Sequence, residues 1–165
     1  MPLDEPTLAE IGRITVAATT IECVVVEIVR LLDPSQPSDF DGLLDLLGKP
    51  GGPMRCKAKK LLSEAGAPAA VAKAREWLEK ADTLLLERHR AVHAFWMTDD
   101  EGRSFGLHPK GGAEFDGDAS SLRSSWLALD EHGKAGIDVY LQLKLLRTSC
   151  GHSSEHGPEV AGQEG

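Results

Sequence analysis

From residue 8 to residue 32, apolar side chains return every three or four positions, at Leu8, Ile11, Ile14, Ala18, Ile21, Val25, Ile28, Val29 and Leu32, with Thr15 on the same stripe. That period predicts an amphipathic α-helix. A helix of this length cannot bury its own stripe, so it demands helical partners. The β-branched residues of 19–29 favour a strand, but strand alternation breaks at Val24-Val25-Val26, whereas the helical period persists to Asp33-Pro34. Thr7 with Glu10 three residues on has the form of a capping box and sets the expected start.

The remaining segments supply the partners. A short leucine-rich helix is expected over 39–47, stopped by Gly48 and a loop over 49–53, followed by a third helix over 54–65 that Gly66 ends. Pro68 suits a helix first turn, and 69–96 reads as one long helix rich in Ala, Leu, Glu, Lys and Arg. Residues 98–117 change to Gly, Asp and His, predicting a loop or irregular hairpin around Asp99-Asp100-Glu101-Gly102 with a mobile tip. Leu122, Trp126, Leu129, Tyr140, Leu143 and Leu146 mark a last helix, in which Gly133 and Gly136 permit either close packing or a kink. The expected architecture is an all-α, antiparallel bundle of four to five helices with that loop or hairpin before the last, forming one domain over 1–148. Residues 149–165, nearly devoid of apolar side chains, predict a disordered tail.

Composition narrows the function classes. A chain of 165 residues, 41% hydrophobic and 27% charged, suits one globular core. No apolar stretch approaches the ~18 residues of a membrane span, and the first residues lack a basic-then-apolar leader, so a cytoplasmic protein without membrane contact is expected. Cys23, Cys56 and Cys150 are odd in number and widely spaced, which predicts free thiols in a reducing compartment. The net charge of −8 argues against coating of nucleic acid by the whole surface. By segment, however, residues 1–48 hold 2 basic and 9 acidic groups, 49–93 hold 10 and 5, and 94–165 hold 6 and 12. In the basic middle, Lys57, Lys59, Lys60 and Arg90 are candidate RNA-binding residues on a face shared with Lys49, Arg55, Lys73, Arg75 and Arg88. Ordinary solvated helix faces are the alternative.

On a helical wheel of the fourth helix, Val71, Ala74, Trp77, Leu78, Ala81, Leu84, Leu85, Val92 and Phe95 occupy one arc, and Arg88 sits near its middle. A guanidinium there stays charged and requires a carboxylate, carbonyls, a second subunit or a phosphate. Glu22, inside the stripe of the first helix, is its natural carboxylate partner. His89 and His93, four residues apart, share one edge of the helix. They are of a type that binds zinc but show no evident third ligand, and Cys150, His152 and His156 of the tail form no second cluster.

The segment Glu87-Arg88-His89-Arg90-Ala91-Val92-His93 resembles the Arg-x4–6-His motif of HEPN (higher eukaryote and prokaryote nucleotide-binding) domains. The spacing recurs from Arg103 to His108 and from Arg147 to His152, but only Arg88 lies on an apolar helical face and is followed by a polar residue. The resemblance implies a small helical bundle, a homodimer, and a metal-independent endoribonuclease of toxin–antitoxin or phage-defence type that needs no cofactor. It assigns Arg88 and His93 as catalytic and His89 as a supporting residue, with RNA and an antitoxin protein as partners. The position two residues after the His, a tyrosine modified by partner nucleotidyltransferases in some members, is Phe95 here. A noncatalytic dimeric module that binds a nucleotide or a partner protein is the alternative reading.

Overall fold

A computed structural model describes residues 3–107 and 114–151. The first helix, α1 (Glu5–Leu32), begins two residues before the expected cap: Asp4, not Thr7, is the N-cap, its carboxylate accepting the Thr7 backbone N–H at 2.7 Å. Pro6 fits because the first turn has no intrahelical acceptor for its missing N–H. Thr7, freed from capping, is buried. The stripe Ile14, Ala18, Ile21, Val25, Ile28 and Val29 is fully buried and forms the centre of the core. Asp33 ends the helix in an extended conformation before Pro34.

Asp39 caps α2 (Phe40–Leu47) by accepting the Gly42 N–H at 2.8 Å. The loop expected over 49–53 is mostly helix, because α3 (Gly51–Glu64) starts at Gly51 with Pro53 in its first turn, where a missing N–H costs nothing. Pro50 occupies its N-cap position and no side chain caps it. Gly66, at φ 81°, reverses the chain into α4 (Ala69–His93). Arg75 staples this reversal by donating to the carbonyls of Leu62, Ser63 and Gly66.

The fourth helix ends at His93 rather than running to residue 96. Ala94 turns extended, and Phe95–Thr98 forms strand β1, paired antiparallel with β2 (Ser104–Leu107), which pairs with β3 (Glu114–Asp116). The aromatic and β-branched content of Phe95-Trp96-Met97-Thr98 suits this pairing. Trp96 is also held by an indole N–H bond to the Ala91 carbonyl at 3.0 Å, and its ring lies on Gly117. In the β1–β2 turn the Asp99 carboxylate accepts the N–H groups of Glu101 and Arg103, and Gly102 takes φ 82°. The irregular loop is therefore a small three-stranded sheet, apart from residues 108–113, which lie outside the described residues.

The last helix, α5 (Ala119–Gly151), extends beyond both expected ends and overlaps the start of the expected tail; residues 152–165 lie outside the described residues. The molecule is an all-α bundle in which α5 packs most extensively on α1 and then on α4. α3 and α4 run antiparallel, since Arg55 meets Asp82 while Arg75 meets Leu62, and so do α4 and α5, since Lys73 meets Gln142 while Trp77 meets His132. Along α1 and α5, by contrast, Arg13 meets Trp126 and Thr20 meets Gly133, so these two run the same way. Two reversals, into α4 and out of it, restore the original direction.

Gly133 and Gly136 of α5 serve close packing. A Cβ on Gly136 would lie 2.5 Å from the Trp77 ring, and one on Gly133 would lie 3.1 Å from Thr20. Trp77 and buried His132 then lock α4 to α5. Their rings stack with centroids 5.2 Å apart, the indole N–H donates to the His132 carbonyl at 3.0 Å, and Nε2 of His132 meets the Trp77 carbonyl at 2.9 Å. A carbonyl only accepts, so Nε2 carries the proton and the neutral ring leaves Nδ1 bare. We expect Gly136→Ala to cost about 1–3 kcal/mol in denaturant unfolding, whereas Gly12→Ala, at an exposed position of α1 with open space around its Cβ, gains up to about 1 kcal/mol.

Burial pushes the His132 imidazole below its ordinary value of 6.5, the Trp77 carbonyl opposes this, and Lys80 adds to the depression. The unfolded chain therefore binds the proton more readily. Stability is full above pH 6.5 and falls on acidification toward the lower folded value, by at most about 1.4 kcal/mol per pH unit from this group. Unfolding midpoints measured across that window should show the slope, and His132→Phe should remove this group's share.

Candidate functional site

The apolar arc of α4 is buried as its periodicity requires, from Val71 through Leu85. Arg88 follows in the same arc and is half-buried, with its Nε shut off from solvent and bonded to nothing among the described residues. Val92 is only partly buried, and Phe95 leaves the arc altogether by joining β1.

Arg88 opens onto a groove of ≈ 450 Å³ between three helices. Its walls are Glu22 of α1, Gly51, Gly52 and Arg55 of α3, and Asp82, Arg88 and His89 of α4. The ion pair expected between Glu22 and Arg88 is not formed. Glu22 instead reaches the start of α3, where its Oε1 lies 3.1 Å from the point a Gly51 Cβ would occupy. The absent side chain makes that approach possible, and the positive end of the helix dipole favours the carboxylate there. The other glutamate of this segment, Glu27, faces away and pairs with Arg30 at 2.9 Å.

The opposite wall is organised by Asp82, which accepts Arg55 Nε at 2.5 Å and also binds Lys59. Burial raises its carboxyl pKa, but the hydrogen bonds from Lys59 and Arg55 outweigh that and hold it below the ordinary range. Neither residue was conspicuous in the sequence as part of a site. Arg55 was one cation of a basic segment, and Asp82 had no visible signal, since the α3–α4 pairing that joins them spans 27 positions.

The candidate RNA-binding residues are less available than their charge suggests. Lys57 pairs with Asp33 at 2.7 Å, which holds that carboxyl far below its usual range, and Ser35 assists. Lys60 stands 3.9 Å from Glu64, and Lys59 is engaged by Asp82. Arg90 is exposed on α4. His89 and His93 are exposed and in mutual contact, with ring centroids 4.5 Å apart and planes tilted by 51°. Thus the groove gathers Glu22, Arg88 and His89, and His89 links it to His93 at the helix end, whereas Lys57, Lys60 and Arg90 are not among its walls. Five positions along one helix separate Arg88 and His93 by about 140° and about 7.5 Å, too far for both to grip one phosphate from a single copy.

Among the described residues no three His, Cys, Asp or Glu side chains are grouped so as to hold a metal ion. Cys23 and Cys56 are free thiols. No helix is long and apolar enough to cross a membrane. Compared with protein families, with curated proteins and with solved structures, the chain has no significant match.

A half-buried guanidinium whose Nε lacks an acceptor carries a desolvation cost that local structure does not offset. Arg88→Met keeps the aliphatic stem in the arc and removes that charge. We expect it to raise stability by about 1 kcal/mol in thermal or denaturant unfolding, as at sites where function and stability conflict; a loss of comparable size would assign Arg88 a structural role instead.

Proposed function

We propose that this protein is a metal-independent endoribonuclease of toxin or defence type, acting in the cytoplasm as a homodimer. The observation that carries the reading is the Arg88 guanidinium, unsatisfied at Nε on the wall of an open groove, with the His89–His93 imidazole pair on the same helix. The resemblance of residues 87–93 to the HEPN motif supports it.

The chemistry suited to these groups is transesterification. A neutral His93 takes the proton of a ribose 2′-hydroxyl, whose oxygen attacks the adjacent phosphorus. The P–O5′ bond breaks, an imidazolium protonates the departing 5′-oxygen, and a 2′,3′-cyclic phosphate and a 5′-hydroxyl result. Arg88 stabilises the charge that accumulates on the non-bridging oxygens. Because one helix cannot bring Arg88 and His93 to one phosphate, the site is shared, Arg88 of one subunit meeting His93 of the other about a twofold axis. His89 orients the pair, and an antitoxin protein is the natural means of restraint.

A noncatalytic nucleotide- or protein-binding module is the second reading. It is favoured by the engagement of Lys57, Lys59 and Lys60 in ion pairs with Asp33, Asp82 and Glu64, which reduces the free positive surface.

Incubating the protein with structured and unstructured RNA in EDTA separates the two. Cleavage should occur in wild type and fall by at least about 100-fold in Arg88→Ala and in His93→Ala, consistent with the loss of one acid–base or electrostatic group. Mixing the two variants should restore part of the activity through hybrid dimers. Cleavage surviving both substitutions, or a strictly monomeric mass in sedimentation, overturns the shared site.

A further inference from the structure

Besides Arg88, the groove has a second cationic wall that the motif does not include. Arg55 is half-buried on α3, and its bond to Asp82 uses Nε alone. Its two terminal nitrogens, one of them 3.0 Å from the Cβ position of Gly51, have no partner among the described residues. Next to it lies the start of α3, a 14-residue helix with no side-chain cap and no acidic residue in its first turn. The N–H groups of Gly51 and Gly52 belong to that first turn and have no intrahelical acceptor. Around Gly52 a Cβ would meet nothing, so the backbone is open to approach.

Two guanidiniums and bare N–H groups at the positive end of a helix, converging on one groove, match the non-bridging oxygens of a phosphodiester strand. We propose that this groove holds a non-scissile phosphate of the RNA strand, with Arg55 and the Gly51-Gly52 backbone as its binding groups and Arg88 joining it to the reacting phosphate. This rests on the ribonuclease reading for its substrate. Asp82 is a positioning residue: by holding Nε and Lys59 it turns a flexible arginine into a fixed fork. Glu22, the carboxylate already at the α3 terminus, opposes the incoming anion and weakens the site.

A short 2′-O-methyl oligoribonucleotide tests this without interference from cleavage, since its nucleophile is blocked. Its binding to the full chain would be followed by fluorescence anisotropy in EDTA over a range of salt. Arg55→Gln and Arg88→Gln should each weaken binding by about 10-fold, and each should flatten the slope of log affinity against log salt by about 0.7. Arg55→Lys should recover the slope but only part of the affinity, because a lysine lacks the fork. Glu22→Gln should tighten binding, and Lys134→Gln, on α5 outside the groove and paired with Asp130, should change nothing. Melting curves identify any variant that fails to fold, and Arg55→Lys carries the test in that case.

Affinity and salt slope indifferent to both Arg55 variants overturn the subsite, even if unmodified RNA is cleaved. Loosened binding in Glu22→Gln overturns it too, because Glu22 would then be supporting the groove rather than competing for it. Conversely, Arg55-dependent binding without any cleavage of unmodified RNA upholds the phosphate site and removes the ribonuclease.

Discussion

Everything about the groove depends on how tightly α5 can press against α4 and α1. At Gly136 the backbone of α5 comes so near that the Trp77 ring occupies the space of a side chain, and the reciprocal bonds between Trp77 and His132 satisfy the polar atoms trapped there. Buried polar groups that find partners specify an arrangement as well as permit it, since any rotation of either helix would leave them unpaired. With α4 fixed along this seam, Asp82, Leu85 and Arg88 are held toward α1 and α3, where they form part of α4's share of the groove's lining.

The electrostatics of that groove are asymmetric. Asp82 gathers Arg55 and Lys59, so one carboxylate serves two cations, while Arg88 and Glu22 stand in the same groove without pairing. Full pairing would have made the groove inert. What exists is a set of charges partly satisfied by the chain itself, and in a partly desolvated setting such a set responds strongly to an added anion.

Helix positions were largely legible because they depend on short-range periodicity and punctuation. The stripe of α1, the Asp39 start of α2 and the Gly66 reversal all appear where residue spacing puts them. The errors fall where local rules compete. Asp4 won the cap from Thr7, two residues three positions apart being equally able to accept an N–H. Gly51-Gly52-Pro53 reads as a loop by composition, yet a helix first turn tolerates both residue types. Phe95 continues the helical arc on a wheel, but pairing with β2 and the Trp96 anchorage on Ala91 and Gly117 override it. Within the site, Arg88 was visible as a charge on an apolar face, whereas Arg55, Asp82 and the diversion of Glu22 to Gly51 depend on contacts between distant segments that no local pattern encodes.

The shared direction of α1 and α5 sets an order in time as well as in space. α1 finds its largest contact surface on α5, and the intervening chain supplies only part of the cover through α3 and α4. Until residue 119 and its successors emerge, the apolar stripe of α1 is incompletely sheathed. Such non-local closure slows folding relative to a bundle in which each helix packs chiefly on its sequence neighbour. The groove between α1, α3 and α4 therefore acquires its final shape only once α5 has closed over α1 and α4.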